Sequence, residues 1–148
     1  MLDVQPYDSV LDLCAAPGGK ALAILQKLNL GDAGGSLTCN ELSPDRRKRL
    51  KNVIQSYLPQ HLQSFVTITG RDATKWHQLD ATKYDKVLVD APCSSDRHLL
   101  HDETELASWT PGRVRANAKR QFSILFSALR AIRFGGIVVY ATCALSHE

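Results

Sequence analysis

This chain predicts an α/β fold of the Rossmann-like, doubly wound kind, a mostly parallel sheet with helices on both faces, on three observations. Short runs rich in valine, isoleucine and leucine alternate with stretches whose apolar residues recur at helical spacing. The first run breaks into small residues and a glycine pair before a helix-forming segment, the strand–turn–helix order of a ligand-binding unit. Five runs end on polar, acidic or thiol residues, and in such sheets ligands bind beyond the carboxyl ends of the strands.

Taken in order, Val10-Leu11-Asp12-Leu13 reads as a buried first strand carrying one acid, and Cys14-Ala15-Ala16-Pro17-Gly18-Gly19-Lys20 as the tight turn leading into the helical Ala21 to Leu25. Small residues let backbone approach a ligand, and free N–H groups at a helix start favour a carboxylate or phosphate. A plain flexible turn is the alternative for the glycine pair alone. Gly31, Gly34 and Gly35 turn the chain into a second strand, Ser36 to Glu41, which ends on an acid.

Ser43-Pro44 opens the next helix, serine as N-cap and proline in the first turn, with Leu50, Val53, Ile54 and Tyr57 on one apolar face and Pro59 as the stop. Its other face carries Arg46, Arg47, Lys48, Arg49 and Lys51, the composition of a solvated helix surface. Phe65 to Thr69 forms a third strand with Asp72 just after it, and Lys86 to Asp90 a fourth that runs into Ala91-Pro92-Cys93-Ser94-Ser95. The long polar segment from Asp96 to about Gly112 has the length of a functional loop bordering a substrate. Phe122, Leu125, Phe126, Leu129 and Ile132 then repeat at helical spacing, Gly135-Gly136 turns the chain, and Ile137 to Ala141 is the fifth strand, capped by Thr142-Cys143.

Composition bounds the function. With 148 residues, 44% hydrophobic and 22% charged, the chain has the make-up of one domain with one core. It contains no apolar run of the roughly 20 residues a membrane span needs, so no membrane is expected. A net charge of +3 permits a nucleic-acid partner without requiring one. Cys14, Cys39, Cys93 and Cys143 are widely separated and form no Cys-x-x-Cys pair, which reads as free thiols in a reducing interior. His98, His101 and Asp102 lie close in sequence, but three residues in a polar loop do not make a metal site, and no metal is expected.

The stretches Asp12 to Lys20, Asp90-Ala91-Pro92-Cys93-Ser94 and Thr142-Cys143 resemble the signature motifs of the NOL/NOP/Sun (Fmu-like) RNA cytosine-5 methyltransferases, in order and spacing, over nearly the whole chain. Asp96-Arg97-His98 and Leu145-Ser146-His147 resemble most the mitochondrial ribosomal-RNA branch, which implies a mitochondrial location, with nucleolar or cytoplasmic as alternatives. The resemblance implies S-adenosyl-L-methionine as cofactor, held by Cys14, Ala15, Ala16, Pro17, Gly18, Gly19 and Lys20, with Glu41 on the ribose hydroxyls, Asp72 at the adenine amino group and Asp90 near cofactor and base. A carboxylate ending the second strand suits two vicinal hydroxyls on physical grounds as well, whereas an Asp after a strand is also an ordinary turn residue.

The resemblance further implies Cys143 as a nucleophile adding to carbon 6 of cytosine, Cys93 as a participant in release, and Asp90 as the group that stabilises charge at ring nitrogen 3. Buried apolar filler is the alternative for both thiols. The partner it implies is RNA, ribosomal or transfer, with an unstacked cytosine, and a protein partner that supplies recognition is a further expectation. Arg113, Arg115, Lys119 and Arg120 form the best phosphate-contacting cluster, a solvated helix start being the alternative. The family's two further strands and its preceding RNA-binding sequence have no counterpart in these residues, so a partial S-adenosylmethionine-dependent catalytic domain, truncated at both ends, is expected over 1–148.

Two other functions fit the fold. One is a catalytically silent RNA- or ribosome-binding accessory paralogue, against which the retention of Cys93 and Cys143 argues. The other is a nicotinamide dehydrogenase, which lacks support because the turn holds only Gly18 and Gly19 and no Gly-x-Gly-x-x-Gly.

Overall fold

The computed structural model describes residues 2–31, 34–80, 83–93 and 110–144. Along the chain these form β1 (Ser9–Asp12), α1 (Gly19–Leu25), β2 (Ser36–Asn40), α2 (Pro44–Tyr57), β3 (Val66–Thr69), α3 (Trp76–Leu79), β4 (Tyr84–Asp90), α4 (Pro111–Ala131) and β5 (Ile132–Ala141). The five strands lie in the order β3-β2-β1-β4-β5, and every neighbouring pair is parallel. The order reverses between β1 and β4, the switch point at which a doubly wound sheet opens a crevice at its carboxyl ends.

Alternation along the central strands divides the core. Val10, Leu37, Cys39 and Leu88 pack with Ala21, Ile24, Leu50 and Ile54 of α1 and α2 on one face. Leu11, Leu13, Val87 and Val89 pack with Trp76, Ile124, Ala128 and Ala131 of α3 and α4 on the other. A parallel strand buried on both faces must be apolar at consecutive positions, which is why the first and fourth strands stand out in the sequence. Cys39 is wholly buried in the first of these clusters.

Local signals set the helix ends. The Ser43 hydroxyl accepts from the Arg46 amide, Pro44 stands at the first helical position, and α2 ends at Leu58 ahead of Pro59. Both features satisfy or remove N–H groups that a helix start leaves unpaired.

Several expectations are corrected. Tyr57 is 74% exposed and lies off the packed face of α2, which buries Leu50 and Ile54. On α4 the aromatic stripe faces out: Phe122 is 71%, Phe126 47% and Leu129 57% exposed. The buried face holds Gln121, Ile124, Ser127, Ala128 and Ala131, because small residues bring the helix close to the sheet. Ile132 belongs to β5, and Gly135-Gly136 lies inside that strand. The register slips between Tyr84↔Ile132 and Lys86↔Ile137, so the pair forms a bulge in the strand instead of a turn before it. A side chain at Gly136 would come within 2.6 Å of the Ile132 side chain, so the bulge needs glycine there. Pro111 and Gly112, counted with the long loop, are already the first turn of α4, capped by Thr110. Residues 96–109 of that loop, with His98, His101 and Asp102, lie outside the described residues, as do Ser94, Ser95 and Leu145-Ser146-His147.

Candidate active site

Residues from all five strand ends meet at one rim. A cavity of about 280 Å³ is lined by Cys14 and Ala16 after β1, Glu41 after β2, Asp72 after β3, Asp90 and Cys93 at the end of β4, and Cys143 after β5. A second pocket of about 320 Å³ adjoins it and takes in Asp12, Cys14, Ala15, Ala16, Pro17, Gly19, Lys20 and Asp90.

Gly18 lines neither pocket. Its φ is +118°, and a Cβ there would sit 3.0 Å from Val53 Cγ1 and 3.2 Å from Leu50 Cδ1. Glycine is required at this position by backbone conformation and by packing against α2. Gly19 has open space around it and begins α1.

The turn after β1 is tied down on several sides. The Leu13 amide donates to the Leu88 carbonyl at 3.0 Å and the Ala15 amide to the Asn40 carbonyl at 2.9 Å. Buried Asn40 donates from Nδ2 to the carbonyls of Leu13 and Arg71, and its Oδ1 accepts from the Thr69 hydroxyl and the Arg71 amide. Arg46 donates from Nη2 to the Ala16 carbonyl at 2.9 Å and lies 3.5 Å from Glu41 Oε2. Glu41 is 6% exposed, and its Oε1 accepts from the Ser43 amide at 2.9 Å. A carboxylate accepts about four hydrogen bonds, so Glu41 keeps capacity for a ligand.

Burial pushes the Asp12 carboxyl up from 3.8 to about 7, against the hydrogen bond its Oδ1 accepts from the Cys14 amide, while Asp90 pushes the same way as burial. Its Oδ2 is buried and has no hydrogen-bond partner among the described residues. Burial, with the charges of Asp12 and Glu41, also drives the Cys14 thiol up to about 12, so Cys14 stays protonated and serves the turn through its backbone. Hydrogen bonds from the Thr74 hydroxyl and amide hold the Asp72 carboxyl below the ordinary range, and Asp72 is at once a turn residue and part of the cavity wall. Lys20 donates from Nζ to Asp90 Oδ2 at 2.6 Å, both side chains being partly exposed.

Cys93 and Cys143 lie across from each other with Cα atoms 6.3 Å apart, and their sulfurs are joined. The expectation of four free thiols is thereby corrected: Cys14 and Cys39 are free, and Cys93 pairs with Cys143. The cause is topological. β4 and β5 are adjacent parallel strands, each cysteine lies two or three residues past its strand end, and that Cα separation is within disulfide range.

Three contributors lie outside the site residues that the sequence singles out. In sequence Asp12 reads as an acid within a strand, Arg46 as solvated helix surface, and Asn40 as ordinary strand. Arg46 had one available signal, its place in the first turn of a helix that begins at a strand's carboxyl end. Arg120 lines the cavity, whereas Arg113, Arg115 and Lys119 do not; all four are exposed on the first half of α4.

Comparison with known proteins adds to this geometry. Over residues 1–148 the chain matches the family described as 16S rRNA methyltransferase RsmB/F. It is 44% identical over 151 residues to the 5-cytosine rRNA methyltransferase NSUN4 of Bos taurus, covering 99% of this chain and 38% of that protein. To NSUN4 of Xenopus laevis it is 46% identical over 153 residues, covering 98% and 36%. To the mitochondrial tRNA (cytosine(34)-C(5))-methyltransferase of Danio rerio it is 44% identical over 147 residues, covering 98% and 39%. Among solved structures, NSun6 from Pyrococcus horikoshii with SFG superposes with a TM-score of 0.78 at 30% identity, covering 99% of this chain and 35% of that one. The chain thus spans under two fifths of the length of these relatives.

Proposed function

The chain belongs to the RsmB/F family of 16S rRNA methyltransferases, and on that premise we propose that residues 1–148 form a partial catalytic domain of an enzyme that methylates carbon 5 of a cytosine in RNA, with S-adenosyl-L-methionine as methyl donor. The observation that carries this reading is the meeting of Cys93 and Cys143 at the same rim as the Lys20–Asp90 pair and the turn after β1.

The residues present fit the donor. Asp12 Oδ2, buried and unpartnered among the described residues, belongs to the pocket formed by the turn and suits an ammonium group. Glu41 retains acceptor capacity for ribose hydroxyls, and the turn from Cys14 to Lys20 holds the methionine end. Asp72, with Oδ1 committed to Thr74, has its second oxygen for an adenine amino group. When bound, S-adenosylmethionine supplies an electrophilic methyl sulfonium to the carbon that Cys143 has activated.

The chemistry required of the chain's own residues starts from the reduced cysteine pair. Carbon 5 of cytosine is a poor nucleophile. A Cys143 thiolate adding to carbon 6 forms a C–S bond and makes carbon 5 electron-rich. Asp90, whose Oδ2 accepts from Lys20 Nζ at 2.6 Å, shares a proton with ring nitrogen 3 and so stabilises the negative charge arising there. Once carbon 5 carries the methyl group, its proton leaves to a base, the C–S bond breaks, and Cys143 departs as thiolate. Cys93 takes part in that release.

The substrate is an unstacked cytosine, since a base in a duplex does not reach a recessed pocket. Relatives named for ribosomal and for mitochondrial transfer RNA support an RNA of one of these classes and a mitochondrial setting. Arg120, on the cavity wall, suits a phosphate beside the target base. We further propose a protein partner that contributes RNA recognition.

The test uses the protein at its full natural length with reductant, S-adenosylmethionine and RNA containing 5-fluorocytosine. Fluorine does not leave carbon 5 as a proton does, so a covalent protein–RNA adduct should survive denaturing electrophoresis and vanish in Cys143→Ala. Tight cofactor binding with no adduct would replace this reading with that of a silent RNA-binding accessory protein.

A further inference from the structure

The backbone ladder between β4 and β5 stops short of the two cysteines. Val89 pairs with Tyr140 and Asp90 with Ala141, and the Ala91 amide donates to the Ala141 carbonyl at 2.8 Å. This is the last backbone hydrogen bond joining the two strands before the cysteines, among the described residues. Carrying the register forward sets Pro92 opposite Cys143, and proline has no N–H with which to continue a ladder.

A side-chain relay takes over at that point. Gln121, 4% exposed on the sheet-facing side of α4, donates from Nε2 to the Pro92 carbonyl at 3.0 Å. Its Oε1 accepts from the Tyr140 hydroxyl at 2.8 Å. Tyr140 lies three residues before Cys143 on β5, and Pro92 immediately precedes Cys93. The relay therefore runs from the strand carrying one thiol, through the middle of α4, to the segment carrying the other. A polar side chain buried so deeply among Ile124, Ala128 and Ala131 is costly unless its bonds are made, so its geometry is well defined.

We propose that Gln121 and Tyr140 are positioning residues that set the Pro92–Cys93 segment against Cys143, and that their role is exercised when the RNA adduct is resolved. This rests on the reading of Cys143 as nucleophile and Cys93 as a participant in release. Neither Gln121 nor Tyr140 lines the cavity. They act through the placement of Cys93, and loosening that placement slows release more than it weakens cofactor binding.

Ser127, farther along the same buried face, provides the comparison. Its hydroxyl donates to the Thr74 carbonyl at 2.8 Å, next to the turn held by Asp72, on the cofactor side of the cleft.

The experiment measures kcat, KM for S-adenosylmethionine and adduct on unmodified RNA, for the full-length protein and for Tyr140→Phe, Gln121→Leu and Ser127→Ala. Tyr140→Phe removes a single hydroxyl and retains the ring, so it tests the relay even where Gln121→Leu fails to fold. For Tyr140→Phe and Gln121→Leu, kcat should fall by about tenfold with kcat/KM within about twofold, the pattern of a slowed step after methyl transfer, and denaturing gels should show protein–RNA adduct on unmodified RNA. Ser127→Ala should raise KM and accumulate no adduct. If kcat/KM falls as far as kcat, if trapping on 5-fluorocytosine slows, or if Tyr140→Phe turns over as the unaltered protein does, the relay has no positioning role. If the unaltered protein itself traps no 5-fluorocytosine RNA, the underlying reading fails and takes the inference with it; trapping by the unaltered protein with no effect of the variants overturns the inference alone.

Discussion

The turn after β1 and the cysteine pair beyond β4 and β5 share a rim but are held by different means. The turn is fastened by backbone bonds from Leu13 and Ala15 to neighbouring strands, by the four bonds of buried Asn40, and by Arg46 on the Ala16 carbonyl. The cysteines stand past the last ladder bond, where the Gln121 relay reaches the Pro92 carbonyl. Many bonds from several elements suit a cradle that keeps one shape, since losing any one of them leaves the rest in place. A single relay suits the role proposed for the two thiols, which is to meet a base and let it go.

The largest effect expected from this contrast is on the thiol side alone. Oxidising the protein with peroxide should abolish methyl transfer, because a sulfur bonded to its neighbour is no nucleophile, and a dithiol reductant should restore it. Cofactor affinity, measured by calorimetry before and after, should change by less than about twofold, since oxidation leaves the backbone cradle in place. Equal loss of cofactor binding would show that the two sides are not independent.

Next in size is the floor beneath the turn. Leu50 is fully buried and a Cβ at Gly18 would lie 3.2 Å from it. Leu50→Ala should lower stability by about 2–5 kcal/mol in denaturant unfolding. Gly18→Ala, forced to a φ of +118° and against Val53, should lose about 1–3 kcal/mol and weaken cofactor binding with it.

Asp12 gives a pH signature on the cofactor side. Its folded value of about 7 stands above the ordinary 3.8, so the native state holds this proton more tightly than the unfolded chain does. The associated stability is complete below pH 3.8 and is lost as pH rises to about 7, with a total on the order of 4 kcal/mol. Asp12→Asn should flatten that part of a stability–pH curve. Bound S-adenosylmethionine should flatten it too, by offering an ammonium to the ionised form. A slope unchanged in the Asn variant would mean that another group carries it.

The smallest effect belongs to Ser127→Ala, which removes the hydrogen bond to the Thr74 carbonyl and the one with His77 Nδ1. A loss of about 1–2 kcal/mol in unfolding is expected.

Strand positions, helix starts and the gathering of strand ends were legible in the sequence because they rest on short-range rules. Consecutive apolar residues mark a strand buried on both faces, Ser43-Pro44 marks a helix start, and right-handed crossovers between parallel strands leave their carboxyl ends on one rim. The residues that the resemblance singles out for the cofactor and the base were named from those ends. Periodicity misled on α4, where Phe122, Phe126 and Leu129 recur at helical spacing yet point outward. A helix can carry an apolar stripe on either side. Which side meets the sheet was decided by how closely Ser127, Ala128 and Ala131 let it approach.

The same distinction separates what the sequence determined by itself from what only the tertiary structure decided. Residue types and spacing were enough for the fold class, the strand-end residues and the turn, since each depends on a few neighbours along the chain. The bond between Cys93 and Cys143, the reach of Arg46 to Ala16, the Asp12 oxygen without a partner among the described residues and the relay through Gln121 were not. Each depends on distance between segments about 30 to 50 residues apart, or on burial by several elements at once, and those quantities exist only when the sheet and its helices are assembled.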